Sequence, residues 1–164
     1  MSKKSGSLLA LAGFGLATAG VAWFGSRYSR GGSRDAWYRE LKKPRFTPPD
    51  EVFPVVWTSL YALMAWSGWR IWSAAPSKER SVALRLWVSQ LAANAKWSKL
   101  FFGDHRPLLA LADVLALEGM ITSYIVAARK IDRPAGNAFI PYAAWVAFAT
   151  ALNAEIARLN PQQA

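Results

Sequence analysis

Long apolar runs alternate along this chain with short charged connections, and the two are not mixed at the period of a soluble amphipathic helix. The apolar blocks lie at about residues 8–25, 52–74, 82–102, 107–128 and 135–157. Each is close to the ~20 residues with which an α-helix crosses the ~30 Å hydrocarbon core of a bilayer. The pattern therefore predicts an all-α membrane protein, a five-transmembrane-helix bundle that forms one domain over residues 1–164.

The first block has a second interpretation. Lys3 and Lys4 precede an apolar core that ends in small residues at 17–19, which resembles a secretory signal with its cleavage site. Cleavage would leave an unusual remnant of four helices, so we favour a first transmembrane helix. Small residues at four-residue spacing, which suit close helix packing in lipid, are Gly13 with Ala17 and Gly15 with Ala19.

The connection at residues 26–51 is the only long one, and we expect it to act as a lid over the bundle. Basic residues would give the lid its charge, and prolines would stiffen it. These lid residues are Arg39, Lys42, Lys43, Pro44, Arg45, Pro48 and Pro49.

The composition limits the classes of ligand and site that the chain can have. The net charge is +10, from 20 basic and 10 acidic residues, and in a soluble protein this would point to nucleic acid. Here the basic residues lie mostly in the connections, so we expect them to meet lipid headgroups and anionic ligands instead. The chain has no Cys and only one His, His105, which we interpret as part of a solvated turn. We therefore expect no metal site and no set of nucleophile, His and acid.

Three of the predicted helices carry unusual residues along one face. These faces have helical spacing, and they consist of Trp57, Leu60, Tyr61 and Met64 in the second block, Gln90, Asn94, Trp97 and Phe101 in the third, and Trp145, Ala149, Leu152 and Asn153 in the fifth. Amides in a bilayer need partners, so Gln90, Asn94 and Asn153 should face inward. Aromatic walls with a few amides describe a pocket for a flat, mostly apolar ligand. Simple helix packing explains the spacing equally well.

Charged residues also occur within the third and fourth blocks. If these blocks form a hairpin about Asp104 and His105, Lys96 and Asp113 reach matching depth, and we predict that they pair. The alternative is that Lys96 extends to the nearer membrane interface. Glu118 has no evident partner in the sequence.

Several ordered motifs resemble those of the translocator protein family, TspO/MBR, also called tryptophan-rich sensory proteins or, in animals, peripheral-type benzodiazepine receptors. The first motif is WYRELKKPRFTPPDEVFPVVWTSLYALM from Trp37. It is followed by QLAANAKWSKLFFG from Gln90 and PYAAWVAFATALN from Pro141. The resemblance covers about residues 37–160, and the first block is compatible with it.

The resemblance implies a five-helix bundle, usually a homodimer, that binds porphyrins and isoquinoline or benzodiazepine-type compounds under the first loop. No cofactor is implied, and the porphyrin is a ligand. Matched motif by motif, the pocket would be lined by Tyr38, Phe53, Trp57, Asn94, Trp145, Ala149, Leu152 and Asn153. The helical faces add Tyr61 and Trp97. Animal members place a Tyr after the ALN motif for sterols, where this chain has Ala154 although Arg158 is kept, so we do not expect tight sterol binding.

Three functional hypotheses follow. The first is a receptor or transport-type protein for tetrapyrrole sensing, transport or regulation in a bacterial membrane, with Trp57 and Trp145 stacked on the ring. The second is an enzyme that degrades porphyrin in light through the same two Trp residues. The third is a structural scaffold whose cavity is incidental.

Overall fold

The computed structural model describes residues 3–29 and 36–162, and this part of the chain is helical with no strand. The predicted all-α fold is thereby confirmed. The elements are α1 (Lys3–Ser29), α2 (Ala36–Glu40), α3 (Val52–Ser73), α4 (Lys78–Ser98), a π-helical turn (Lys99–Gly103), α5 (Pro107–Ile131), α6 (Arg133–Asn137) and α7 (Ile140–Leu159).

Within the described ranges, three stretches are long and apolar enough to cross a membrane by length and composition. They are Gly6–Ser29, Pro107–Ile131 and Arg133–Leu159. The helices α3 and α4 fall short of this measure because α3 is rich in Trp and α4 carries several Lys and Arg residues. The prediction that five helices cross the membrane therefore stays a prediction.

The fifth predicted helix, 135–157, is divided in the structure, which corrects the predicted boundaries. The Asp132 side chain accepts a hydrogen bond of 3.0 Å from the Ala135 N–H and so begins α6. A second helix, α7, begins at Ile140 with Pro141 in its first turn, where a missing N–H costs nothing. The third predicted helix also begins earlier than residue 82, because Ser77 Oγ accepts a hydrogen bond of 3.0 Å from the Arg80 N–H.

Among the long helices, α1 contacts α3 and α4, while α5 contacts α4 and α7. One close approach involves Gly68 of α3, where a Cβ would lie 2.6 Å from the Phe14 ring and 2.7 Å from Trp87 Nε1. A Cβ at Gly13 or Gly15 would meet nothing within 4 Å. The close packing expected at these two glycines is therefore wrong for contacts within this chain.

Buried hydrogen bonds fix the end of the bundle where α3 ends and α6 lies. Ser67 Oγ donates to the Ala135 carbonyl at 2.8 Å and lies 2.7 Å from the Tyr124 hydroxyl. Arg70 forms an ion pair of 2.7 Å with Asp132. This end is filled by side chains, and the space for a ligand lies towards the opposite end, near α2.

The π-helical turn continues α4 with a wider backbone turn. The Asp104 N–H donates to the Lys99 carbonyl at 2.8 Å, a bond five residues apart. His105 follows with a φ of 53°, in the left-handed region, and reverses the chain into α5. The turn brings Phe101 and Phe102, which are adjacent in sequence, to the same cavity.

Candidate functional site

A cavity of about 660 Å³ lies between α1, α3, α4, the π-helical turn and α7, with Tyr38 of α2 at its edge. Its size falls in the range of about 300–1,000 Å³ that is usual for small-molecule sites. The lining residues are Ala22, Trp23, Gly25, Ser26, Ser29, Tyr38, Asp50, Phe53, Pro54, Trp57, Thr58, Tyr61, Trp97, Ser98, Phe101, Phe102, Trp145, Phe148, Ala149, Leu152, Asn153 and Ile156.

Ten of the 22 lining residues are aromatic, and several of their rings contact one another. On α3, Trp57 is stacked on Tyr61 with ring centroids 5.5 Å apart and 29° between the planes. Between α3 and α7, Phe53 meets Trp145 edge to face, with centroids 5.8 Å apart. Rings held by such contacts present flat apolar surfaces with little freedom to move. The geometry suits a flat ligand that can lie against several rings.

Two buried amides hold aromatic residues of the lining in place through hydrogen bonds. Asn153 Oδ1 accepts the indole N–H of Trp97 at 3.1 Å, and its Nδ2 donates to the Pro107 carbonyl at 2.9 Å. Asn94 Oδ1 accepts the Tyr61 hydroxyl at 2.8 Å, and its Nδ2 donates to the Tyr142 hydroxyl at 3.2 Å. Both amides thus fix the orientation of an aromatic residue that lines the cavity.

Charge is sparse in the cavity itself. Among the lining residues of the described chain, the only charged side chain is Asp50. Burial, and then the nearby Asp50 carboxylate, raise the pKa of the Tyr38 phenol above its ordinary value, so Tyr38 is neutral at physiological pH. Two cations stand behind lining rings. Lys43 Nζ lies 4.3 Å from the Tyr38 ring centroid, and the Arg27 guanidinium carbon lies 4.9 Å from that of Trp23.

Nine of the ten residues that the sequence predicts for ligand binding line this cavity. They are Tyr38, Phe53, Trp57, Tyr61, Trp97, Trp145, Ala149, Leu152 and Asn153. Asn94 is 2% exposed and lies outside the lining, where it supports Tyr61. The inward orientation predicted for Gln90, Asn94 and Asn153 is confirmed, since each is buried.

The seven predicted lid residues are outside the lining. Of these seven, Arg39, Lys42 and Arg45 are exposed and Pro44 is buried. None of the other three, Lys43, Pro48 and Pro49, faces the cavity. The first loop is nevertheless fastened across the bundle. The Lys42 N–H donates to Asn160 Oδ1 at 2.9 Å, and Asn160 Nδ2 donates to the Lys42 carbonyl at 3.0 Å. The aromatic residues of α2, rather than the basic ones, approach the cavity.

Sequence reasoning missed part of the lining. Trp23, which belongs to none of the three helical faces, borders the cavity while remaining 59% exposed. Phe148 falls between the α7 residues that the face identified, three positions after Trp145. A wider search at spacings of three and four from Trp145 would have found it. Trp37 stacks on His105 with ring centroids 4.3 Å apart, so that histidine is not simply solvated.

Comparison with known proteins decides the family. A sequence model of the TspO/MBR family matches residues 14–159. The chain is 39% identical over 130 residues to protein CrtK of Rhodobacter capsulatus, covering 79% of this chain and 81% of that one. The chain belongs to the TspO/MBR family.

Other TspO/MBR relatives come from bacteria and animals. A tryptophan-rich sensory protein of Cereibacter sphaeroides is 40% identical over 126 residues, 77% of this chain and 78% of that one. The translocator protein of Ovis aries is 38% identical over 144 residues, 86% of this chain and 84% of that one. Members of the TspO/MBR family are integral membrane proteins, and the apolar spans of this chain agree with that location.

Proposed function

We propose that the protein is a membrane receptor or transport-type protein that binds a porphyrin in the aromatic cavity, for tetrapyrrole sensing, transport or regulation. The observation that carries the proposal is the cavity itself: about 660 Å³, walled by ring faces from α3, α4 and α7. An apolar macrocycle would lie against Trp57 and Trp145, and each offset ring contact is worth roughly 0.5–1.5 kcal/mol beyond burial. Isoquinoline and benzodiazepine-type compounds, which also carry aromatic rings, would use the same walls.

The polar edges of the ligand would find donors on the walls. The indole N–H groups of Trp57 and Trp145 have no hydrogen-bond partner among the described residues and are available to a ligand. Porphyrin propionates would pass outward between the rings to Lys43 and Arg27, which stand beside the lining residues Tyr38 and Trp23. Charge-assisted hydrogen bonds to these cations would hold the carboxylates at the mouth of the cavity. Asp50 would repel a carboxylate placed deeper.

Binding is tested by a dark titration of the purified protein in detergent with protoporphyrin IX, following the quenching of Trp fluorescence. Ala149→Trp would fill the cavity from the wall, whereas the matched variant Ala151→Trp places the same ring on the exposed face of α7. The proposal is supported if quenching is saturable and the affinity falls at least about tenfold in Ala149→Trp but is unchanged in Ala151→Trp. Non-saturating quenching that is equal in all three proteins means partition into detergent, and leaves the scaffold hypothesis standing.

A second candidate function is the light-dependent breakdown of porphyrin, favoured by the position of Trp57 and Trp145 together in the wall. An excited ring would take one electron from an indole, and the porphyrin radical anion would add dissolved dioxygen. Return of the electron from this adduct to the indole radical cation restores the Trp. The bond between the two oxygen-bearing carbons and the O–O bond then break, so both oxygen atoms end as carbonyls of the opened ring. Replacing either Trp by Phe should preserve dark binding but stop the light-dependent loss of porphyrin absorbance. Unchanged breakdown in both variants rules this candidate out.

The number of membrane-spanning helices and the oligomeric state are part of the same proposal. The 22 residues of α3 and the 21 residues of α4 are long enough to cross the bilayer at ~1.5 Å per residue. We therefore include both as membrane spans, which gives a five-helix bundle, and propose a homodimer in a bacterial membrane. Tight sterol binding is not part of the proposal, because Ala154 stands at the motif position and Arg158 is paired with Glu155 at 2.6 Å.

A further inference from the structure

A second surface feature lies away from the aromatic cavity, in the turn between α3 and α4. It is a shallow, open depression at the end of the bundle opposite α2. Its lining residues are Pro76, Ser77, Lys78, Arg80, Ser81, Val82 and Arg85. Three of these seven are cations, and the lining includes no acidic residue.

These three cations lie close together without an acidic partner. Some other described Lys and Arg residues do have one, in the ion pairs Arg70–Asp132, Lys96–Asp113, Lys99–Asp104 and Arg158–Glu155. Lys78, Arg80 and Arg85 take part in no ion pair among the described residues, although Glu79 is their neighbour in sequence. Three neighbouring positive charges repel one another, and an anion bound between them would reduce this repulsion.

Arg80 gives the most specific indication of an anion site. Its Nε is buried yet has no hydrogen-bond acceptor, and a buried donor without a partner is destabilising. The guanidinium is held in place by the Trp72 ring, whose centroid lies 5.8 Å from its central carbon. A planar guanidinium fixed in this manner is well suited to bind a phosphate through two parallel N–H groups.

The surroundings favour the phosphate of a lipid over a free ion. Trp72 and Val82 border the depression and are 40% and 41% exposed, so apolar surface lies directly beside the charges. The depression lies at the end of α3 and α4, where a Trp is suited to the membrane interface. We propose that Lys78, Arg80 and Arg85 bind the phosphate group of an anionic phospholipid, whose acyl chains lie along Trp72 and Val82. Basic pockets at helix ends bind such headgroups in other membrane proteins.

The experiment compares two variants that each remove two positive charges at the same end of the bundle. Arg80→Gln with Arg85→Gln alters the depression, whereas Lys130→Gln with Arg133→Gln alters two exposed cations of the α5–α6 region. The full-length protein in detergent is titrated with phosphatidylglycerol, and the bound lipid is counted by native mass spectrometry. Phosphatidylcholine and inorganic phosphate are titrated in parallel.

We expect phosphatidylglycerol to bind in preference to phosphatidylcholine, and the Arg80 and Arg85 double variant to weaken that binding at least roughly tenfold. The Lys130 and Arg133 double variant should retain it within about twofold. An equal loss in both variants would mean general attraction to a positive surface and overturns the proposal. Displacement of the lipid by millimolar inorganic phosphate would assign the site to a free anion and also overturns it. An unchanged melting temperature confirms that both variants fold.

Discussion

Lys96 Nζ lies 2.8 Å from Asp113 Oδ1 and joins α4 to α5. This confirms the pairing that matching depth along the predicted hairpin indicated. The two partners differ in their surroundings, since the Lys96 side chain is 65% exposed and that of Asp113 only 7%. The second oxygen of Asp113 is buried without a hydrogen-bond partner, so the carboxylate depends on Lys96 for compensation.

Replacing Lys96 should therefore destabilise the protein through the charge that it leaves behind. We expect Lys96→Met to lower the free energy of unfolding by about 1–2 kcal/mol, less than for a fully buried pair because Lys96 is largely exposed. Removing both charges with Lys96→Met and Asp113→Leu should restore most of the loss. Thermal unfolding in detergent measures the effect. The exposed pair Lys99–Asp104 supplies the comparison, and a loss of stability in Lys99→Met as large as in Lys96→Met would contradict this account.

Gly68 should tolerate no side chain. A Cβ there would lie 2.6 Å from Phe14 and 2.7 Å from Trp87 Nε1, so α1 and α3 would have to separate. We expect Gly68→Ala to cost about 1–3 kcal/mol of stability through overpacking.

Gly13→Ala is the matched control for Gly68→Ala, because its Cβ would meet nothing within 4 Å. Alanine favours the helix over glycine, so this variant should be neutral or up to about 1 kcal/mol more stable. Melting temperatures that fall equally in the two variants would show that packing at Gly68 is not the cause.

Helical periodicity in the sequence was enough to predict which side chains of a helix face inward. The inward faces of Gln90, Asn94 and Asn153 followed from their spacing, because a buried amide in a bilayer has few alternatives to facing its neighbours. The same spacing placed Trp57 and Trp145 in one cavity wall. These inferences depend on local geometry and on polarity, both of which the sequence records.

Other features depend on contacts that no local pattern encodes. The π-helical turn Lys99–Gly103 has a backbone bond from Asp104 to Lys99 but no residue signature, and it adds Phe102 to the wall. The position of Asn94 also depends on such contacts, since its amide bonds Tyr61 and Tyr142 and lies outside the cavity lining. Which side of a loop faces the bundle is decided by tertiary contacts, so the basic loop residues could not be placed from sequence.

Alkaline pH should weaken the packing of α2 through Tyr38. Burial and the Asp50 carboxylate raise the pKa of this phenol in the folded state above ~10, the value for an exposed Tyr. A group whose pKa is raised on folding contributes stability that is present below the unfolded value and is lost as the pH rises above it. We therefore expect stability to fall above about pH 10, and Tyr38→Phe to fall less steeply.

Asp50→Asn gives an independent check on the titration of Tyr38. Without the carboxylate, the phenol should ionise at lower pH than in the unchanged protein, which difference absorbance of the phenolate against a Tyr38→Phe reference measures. Identical ionisation curves with and without Asp50 would mean that burial alone accounts for the raised pKa.

Asn160 should control how firmly the first loop closes the site. Its side chain accepts from the Lys42 N–H at 2.9 Å and donates to the Lys42 carbonyl at 3.0 Å, which fastens the loop beyond α2 to the end of α7. Asn160→Ala removes both bonds, each worth about 0.5–1.5 kcal/mol. Hydrogen exchange at Lys42 should then accelerate roughly tenfold, and protoporphyrin IX should dissociate faster with little change in its association rate.

Asn137→Ala, at an exposed position of α6, should change neither rate. Faster exchange at Lys42 without faster dissociation would show that the loop opens freely but does not retain the ligand, and the lid would then have to be sought in Tyr38 and its neighbours.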